Sequence, residues 1–224
     1  MSYNNNYNTN YQNPQIVNYA ATDAQAEFSR KTYTHVALAL LAFIGVEAAL
    51  QNLIPEELIF SMVRGKFVWL FILGGFWLGS ILANKWTQAQ DKSTQYMGLG
   101  IYVLLEAIIF LPIIKIALPG TAILSQAGII TLALFGGLTA VVFLTCVDFS
   151  FLRTILVVGG FVALGLIVAG AIFGFDLGLW FSVAMVALAA GGILYETYNI
   201  KNAYSTDQYV AAALQLFSSI MLLF

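Results

Sequence analysis

Seven long apolar stretches, joined by very little polar sequence, leave this chain few ways to fold. They run over 34–50, 67–83, 98–116, 122–146, 151–173, 177–198 and 209–224. A hydrocarbon core about 30 Å thick needs about 20 apolar residues per crossing helix, and most of these stretches are near that length. The runs are continuously apolar rather than alternating, which argues against a membrane β-barrel. Short, punctuated connections such as Pro55-Glu56-Glu57 and Pro119-Gly120 make consecutive helices antiparallel. Of the 224 residues, 60% are hydrophobic and only 9% are charged. With a mean hydropathy of +0.85, the chain lies far outside the range of a soluble domain. The reading is an all-α integral membrane protein with seven transmembrane helices.

Residues 1–26 differ in kind. Asn, Tyr and Gln dominate the first twenty, and such a segment buries too little apolar area to offset its ordering entropy. The expected organisation is a disordered Asn/Tyr-rich tail over 1–26 and a seven-helix domain over 27–224. With the amino terminus inside, Arg30, Lys31, Lys85, Lys92, Arg153 and Lys201 fall on the inner side, against Arg64, Lys66 and Lys115 outside. That bias predicts a cytoplasmic amino terminus and an external carboxyl terminus.

The chemistry is bounded by what is missing. One histidine, His35, and one cysteine, Cys146, leave no ligand set for zinc or paired-histidine haem. Cys146 reads as a small apolar filler and His35 as an interfacial helix-end residue. No nucleotide-binding glycine motif, H-E-x-x-H or nucleophile–base pair stands out, so the chain is expected not to be an enzyme and to need no cofactor. No basic cluster suggests nucleic acid. Small residues at four-residue spacing, Gly75/Gly79, Gly170/Gly174 and Ala187/Gly191, predict close helix approach.

What remains is a set of carboxylates. A carboxylate in a membrane span costs about 2.5–3.5 kcal/mol on insertion scales, and usually has a partner, a watery cavity or a proton to carry. Glu196 ends the sixth apolar run and Glu106 lies in the middle of the third. Glu47 reads as reaching the outer interface. Asp148 and Asp176 read as helix caps. In the last stretch Gln208, Ala212, Gln215 and Ser219 recur at three- and four-residue spacing and share one helix face. A lipid-facing helix would not carry such a face, so this helix is placed towards the bundle interior.

Four segments carry a family likeness. Ile193-Leu194-Tyr195-Glu196-Thr197, a polar loop and then Asp207-Gln208-Tyr209-Val210-Ala211-Ala212-Ala213-Leu214-Gln215-Leu216-Phe217 resemble the Bax inhibitor-1 (transmembrane Bax inhibitor motif) family. Leu104-Leu105-Glu106-Ala107 with Leu111-Pro112, Asp148-Phe149-Ser150-Phe151-Leu152 and Ser29-Arg30-Lys31-Thr32-Tyr33 agree with it in order, most like its bacterial branch. The resemblance implies a last helix surrounded by the other six, a bacterial inner membrane, and a pH-sensitive calcium leak gated by a carboxylate dyad. The first carboxylate maps onto Glu196. The second falls on Ser219, which cannot ionise, so the dyad is incomplete.

The expected function is therefore a pH-influenced passive Ca2+ or other cation leak. Its pathway would involve Glu196, Ser219, Glu106 and Gln215, and Ca2+ would bind weakly at Glu196. The alternative is a membrane interaction protein that modulates a membrane protease or a stress and cell-death pathway. Its partners would be the lipid bilayer and another membrane protein.

Overall fold

The computed structural model describes residues 16–145 and 147–224. Cys146 lies outside the described residues, and so does the expected tail as far as residue 15. From Ile16 the remainder of that tail is ordered: a 3-10 turn covers Val17–Tyr19, and the first helix begins at Thr22.

Among the described residues there are eight α-helices and no strand. They are α1 (Thr22–Leu53), α2 (Glu56–Arg64), α3 (Lys66–Thr87), α4 (Lys92–Ala117), α5 (Thr121–Leu144), α6 (Leu152–Phe173), α7 (Gly178–Ala203) and α8 (Tyr209–Leu223). The short α2, over a stretch where the sequence suggested only a connection, shifts the count, so the sixth and seventh apolar runs are α7 and α8. Among the described residues six helices are long and apolar enough to cross a membrane, one fewer than the seven expected. The difference is α8. Its 15 residues rise about 22 Å at 1.5 Å each, short of a hydrocarbon core of about 30 Å.

Local chemistry sets the boundaries. Asp91 caps α4 by accepting the Thr94 backbone N–H at 2.9 Å. That bond, with the Thr94 hydroxyl behind it, holds the Asp91 carboxyl below its usual range. Asp148 accepts from the Ser150 N–H at 2.8 Å and its carboxyl is likewise lowered, chiefly by that backbone bond. This turn precedes α6 rather than capping it, because the N-cap position belongs to Phe151. Asp176 does not cap α7 either. The chain enters that helix through Leu177, and Gly178 takes φ +71°, a conformation open to glycine.

The central element is α8. Val210, Ala211, Ala212, Ala213 and Phe217 are completely buried, and α8 touches α1, α3, α4, α5 and α7. Val210, Leu214, Phe217 and Met221 pack with Ala39 and Phe43 of α1, Ala83 of α3 and Tyr102 and Val103 of α4. Ala212, Ala213, Leu216 and Ile220 pack with Phe28 and Val36 of α1 and Ile200 of α7. The expected six-helix surround is not complete. Among the described residues α6 touches α3 and α7 but not α8.

The amino-terminal segment closes one end. Val17 N–H donates to Tyr204 O at 3.0 Å, Ile16 bridges Ser205, and Val17 is buried. Burial also raises the Tyr204 phenol above its usual range.

Candidate functional site

Because α6 stands away from α8, one stripe of α8 is left uncovered. Between Val210 and Leu223, Gln215, Ser218 and Leu222 alone are not buried. Spacings of three and four residues put them on one side. Two of the three are polar, and they meet polar groups from two other helices. Gln215 Nε2 donates to Asn84 Oδ1 of α3 at 3.0 Å, and the Tyr102 hydroxyl of α4 donates to Ser218 Oγ at 2.8 Å. With Ser80 they surround a cavity of ≈ 170 Å3, walled on the outside by Trp77 and Ile81. One turn along α4 from Tyr102 lies Glu106, buried at 6% exposure and within hydrogen-bonding reach of Tyr102.

The other predicted residues sit elsewhere. Glu196 lies on α7 between Ile193 and Ile200, both buried, and Ile200 packs on α8. Its hydrogen bond runs to Asn199 of its own helix, and among the described residues none runs from it to α8. Ser219 is buried on α8. The four predicted residues therefore divide in two: Gln215 and Glu106 belong to the polar group between α3, α4 and α8, and Glu196 and Ser219 lie towards α7. Gln208 leaves the stripe altogether. Its side-chain oxygen accepts the Ser205 N–H at 2.9 Å and closes the α7–α8 turn.

The sequence reading missed Asn84, Tyr102 and Ser218. The only signal they gave was Asn84, a polar residue just past the end of the apolar run at 67–83. Glu47, expected to reach the outer interface, is covered by protein at 5% exposure. Gln51 Nε2 donates to Glu47 Oε1 at 2.8 Å and to Leu111 O at 2.9 Å. Glu47 Oε2 and Gln51 Oε1 are buried with no partner. Both amide hydrogens of Gln51 are thereby used, and among the described residues none supplies a third donor.

His35 joins three helices rather than ending one. Nδ1 lies 2.6 Å from Lys31 O, Nε2 lies 3.0 Å from the Tyr96 hydroxyl, and the ring sits against Tyr209. Among the described residues no group of three His, Cys, Asp or Glu side chains could hold a metal ion.

Comparison with known proteins agrees with the helical plan. The family described as Inhibitor of apoptosis-promoting Bax1 matches residues 25–224. Protein LIFEGUARD 4 of Arabidopsis thaliana is 28% identical over 205 residues, covering 88% of this chain and 81% of the relative. No solved structure matches the chain.

Proposed function

This chain belongs to the family described as Inhibitor of apoptosis-promoting Bax1, and from that premise we propose that it is a passive cation leak, non-enzymatic, with Ca2+ as the permeant ion. The observation that carries the reading is that Glu47 and Glu106 are buried, and Glu196 half-buried, on helices apolar enough to cross a membrane, without a cation beside them. Among the described residues Lys31 pairs with Glu27 and Lys115 with Glu56, and no basic side chain pairs with Glu47, Glu106 or Glu196. Carboxylates in a membrane usually face a bundle interior or a watery path and mark ion or proton routes. Here Glu106 adjoins the stripe of α8 that α6 leaves uncovered.

Ca2+ takes six to eight oxygen ligands. Glu106, Gln215, Glu196 and Ser219 offer some, and water would complete the shell, which suits weak binding at Glu196 and steady leak. In this reading α8, though short, is the seventh membrane-embedded helix, and the amino terminus faces the cytoplasm of a bacterium. With Ser219 in place of a second carboxylate, flux should depend on pH less steeply than in relatives with acids at both positions, because like-charge repulsion is removed.

The test is Ca2+ flux into proteoliposomes. Glu106→Gln and Glu196→Gln should each slow it about tenfold, the change that about 1.4 kcal/mol in a barrier produces. Ser219→Asp should steepen the pH profile. Equal flux in wild type and both glutamine variants at every pH would remove these carboxylates from the pathway.

One observation favours a second reading, a membrane interaction protein. The segment from Ile16 is fastened to the α7–α8 turn, so whatever holds residues 1–15 pulls directly on that turn. Deleting residues 1–15 should leave flux unchanged if the leak reading holds alone.

A further inference from the structure

We propose that the cavity between α3, α4 and α8 binds the polar head of an uncharged glycerolipid, a diacylglycerol or a close chemical relative, admitted sideways from the bilayer. The proposal concerns binding and does not depend on ion conduction.

The cavity opens towards lipid. Trp77 and Ile81, which wall it, are 65% and 52% exposed, and on helices of this hydropathy the exposed apolar face is a lipid face. Its polar lining is wholly uncharged: Ser80, Asn84, Tyr102, Gln215 and Ser218. No lysine, arginine, aspartate or glutamate lines it. A phosphate would enter without a counter-charge, at the heavy cost of burying an unpaired ion. A hydroxyl and an ester carbonyl carry no such cost.

The unused hydrogen-bonding capacity matches those two groups. Asn84 Oδ1 accepts from Gln215 Nε2 and from Gln88 Nε2 at 3.2 Å, so the Asn84 amide hydrogens remain to donate. Gln215 has used its nitrogen as a donor, leaving its oxygen to accept. Ser218 Oγ accepts from Tyr102 and can still donate its own proton. Two donors for carbonyl oxygens and one acceptor for a hydroxyl are what a glycerol ester with one free hydroxyl requires.

The order of groups along α8 also fits. Asn84 lies one turn from the end of α3, at the same end of the bundle as the start of α1, where a lipid glycerol would sit if that end meets the headgroups. Moving inward along the stripe, Gln215 and Ser218 give way to Leu222, which is 54% exposed. Polar contacts thus come first and an apolar track follows, the sequence of chemistry in a lipid entering head-outward.

The experiment uses the whole protein in nanodiscs with a photoactivatable diacylglycerol, and identifies the labelled peptides. Wild type should be labelled on α3 and α8 around Ile81 and Ser218. Labelling should fall about tenfold when Ser218→Ala removes a donor and when Ile81→Trp, at a half-exposed position, narrows the mouth. An equally photoactivatable phosphatidylglycerol, and an analogue lacking the free hydroxyl, should label this region at least tenfold less. Equal labelling by the charged lipid, labelling unchanged in both variants, or no labelling here at all (a cavity that holds water only) would each overturn the proposal.

Discussion

Replacing Gly98 with alanine should destabilise the folded protein by about 3 kcal/mol or more, the upper end of the usual cost of overpacking. A Cβ at this position would lie 2.7 Å from Ala83 O, 2.9 Å from Thr87 N and 3.0 Å from Thr87 Cγ2. Two of those three atoms are backbone, so no rotamer change relieves the clash and α3 itself must move. Ala83 and Thr87 flank Asn84, which ties α3 to Gln215 of α8, so displacement of α3 reaches the polar cavity directly. The control is Gly75→Ala, where nothing lies within 4 Å of the added carbon. There alanine should be neutral or stabilising by up to about 1 kcal/mol, the ordinary helical preference. Denaturant unfolding in detergent micelles compares the two. Equal midpoints would mean that the α3–α4 seam is looser than its geometry says.

The same glycine marks how far the sequence could be read. Spacing pointed to Gly75/Gly79, Gly170/Gly174 and Ala187/Gly191 as close-approach sites. Of these Gly79 is tight, its Cβ position 2.6 Å from Leu105 Cδ1, whereas Gly75 and Gly174 face open space. Gly98, with no small partner four residues away that drew notice, is the tightest against backbone. A four-residue rhythm identifies a helix face, and only the neighbouring helix decides whether that face is in contact.

The carboxylates repeat this lesson. Hydropathy made Glu106 conspicuous, since an acid amid apolar residues needs no tertiary structure to be noticed. It could not tell that Glu47, six residues from the end of α1, is covered by Leu111 and Gln51 instead of reaching water. Likewise, periodicity placed Gln215 and Ser219 on one face of α8, yet α6 standing clear of α8 selected Gln215 and Ser218 as the uncovered pair. Depth in a membrane is written along the chain. Which side of a buried helix stays open is set by the crossing of helices far apart in sequence, here α3, α6 and α7.

Phe217→Ala should cost about 3 kcal/mol, the lower part of the range for deleting a buried aromatic ring. In lipid the ring gains little from leaving its surroundings, because hydrocarbon is as apolar as the core. The loss is in packing contacts and in the void left behind. Phe217 is completely buried. It meets Phe43 of α1 edge-on at 6.4 Å and Tyr102 of α4 at 6.1 Å. Three helices therefore converge on one side chain, and no other residue of α8 joins two rings in this way among the described residues. Tyr102 also holds Ser218, so a void at Phe217 loosens the wall of the lateral cavity as well as the core. The matching control is Leu222→Ala, at the exposed end of the open stripe, where truncation creates no enclosed void and should cost under about 0.5 kcal/mol. Similar unfolding midpoints for the two variants would show that α8 is not the element around which the other helices are assembled.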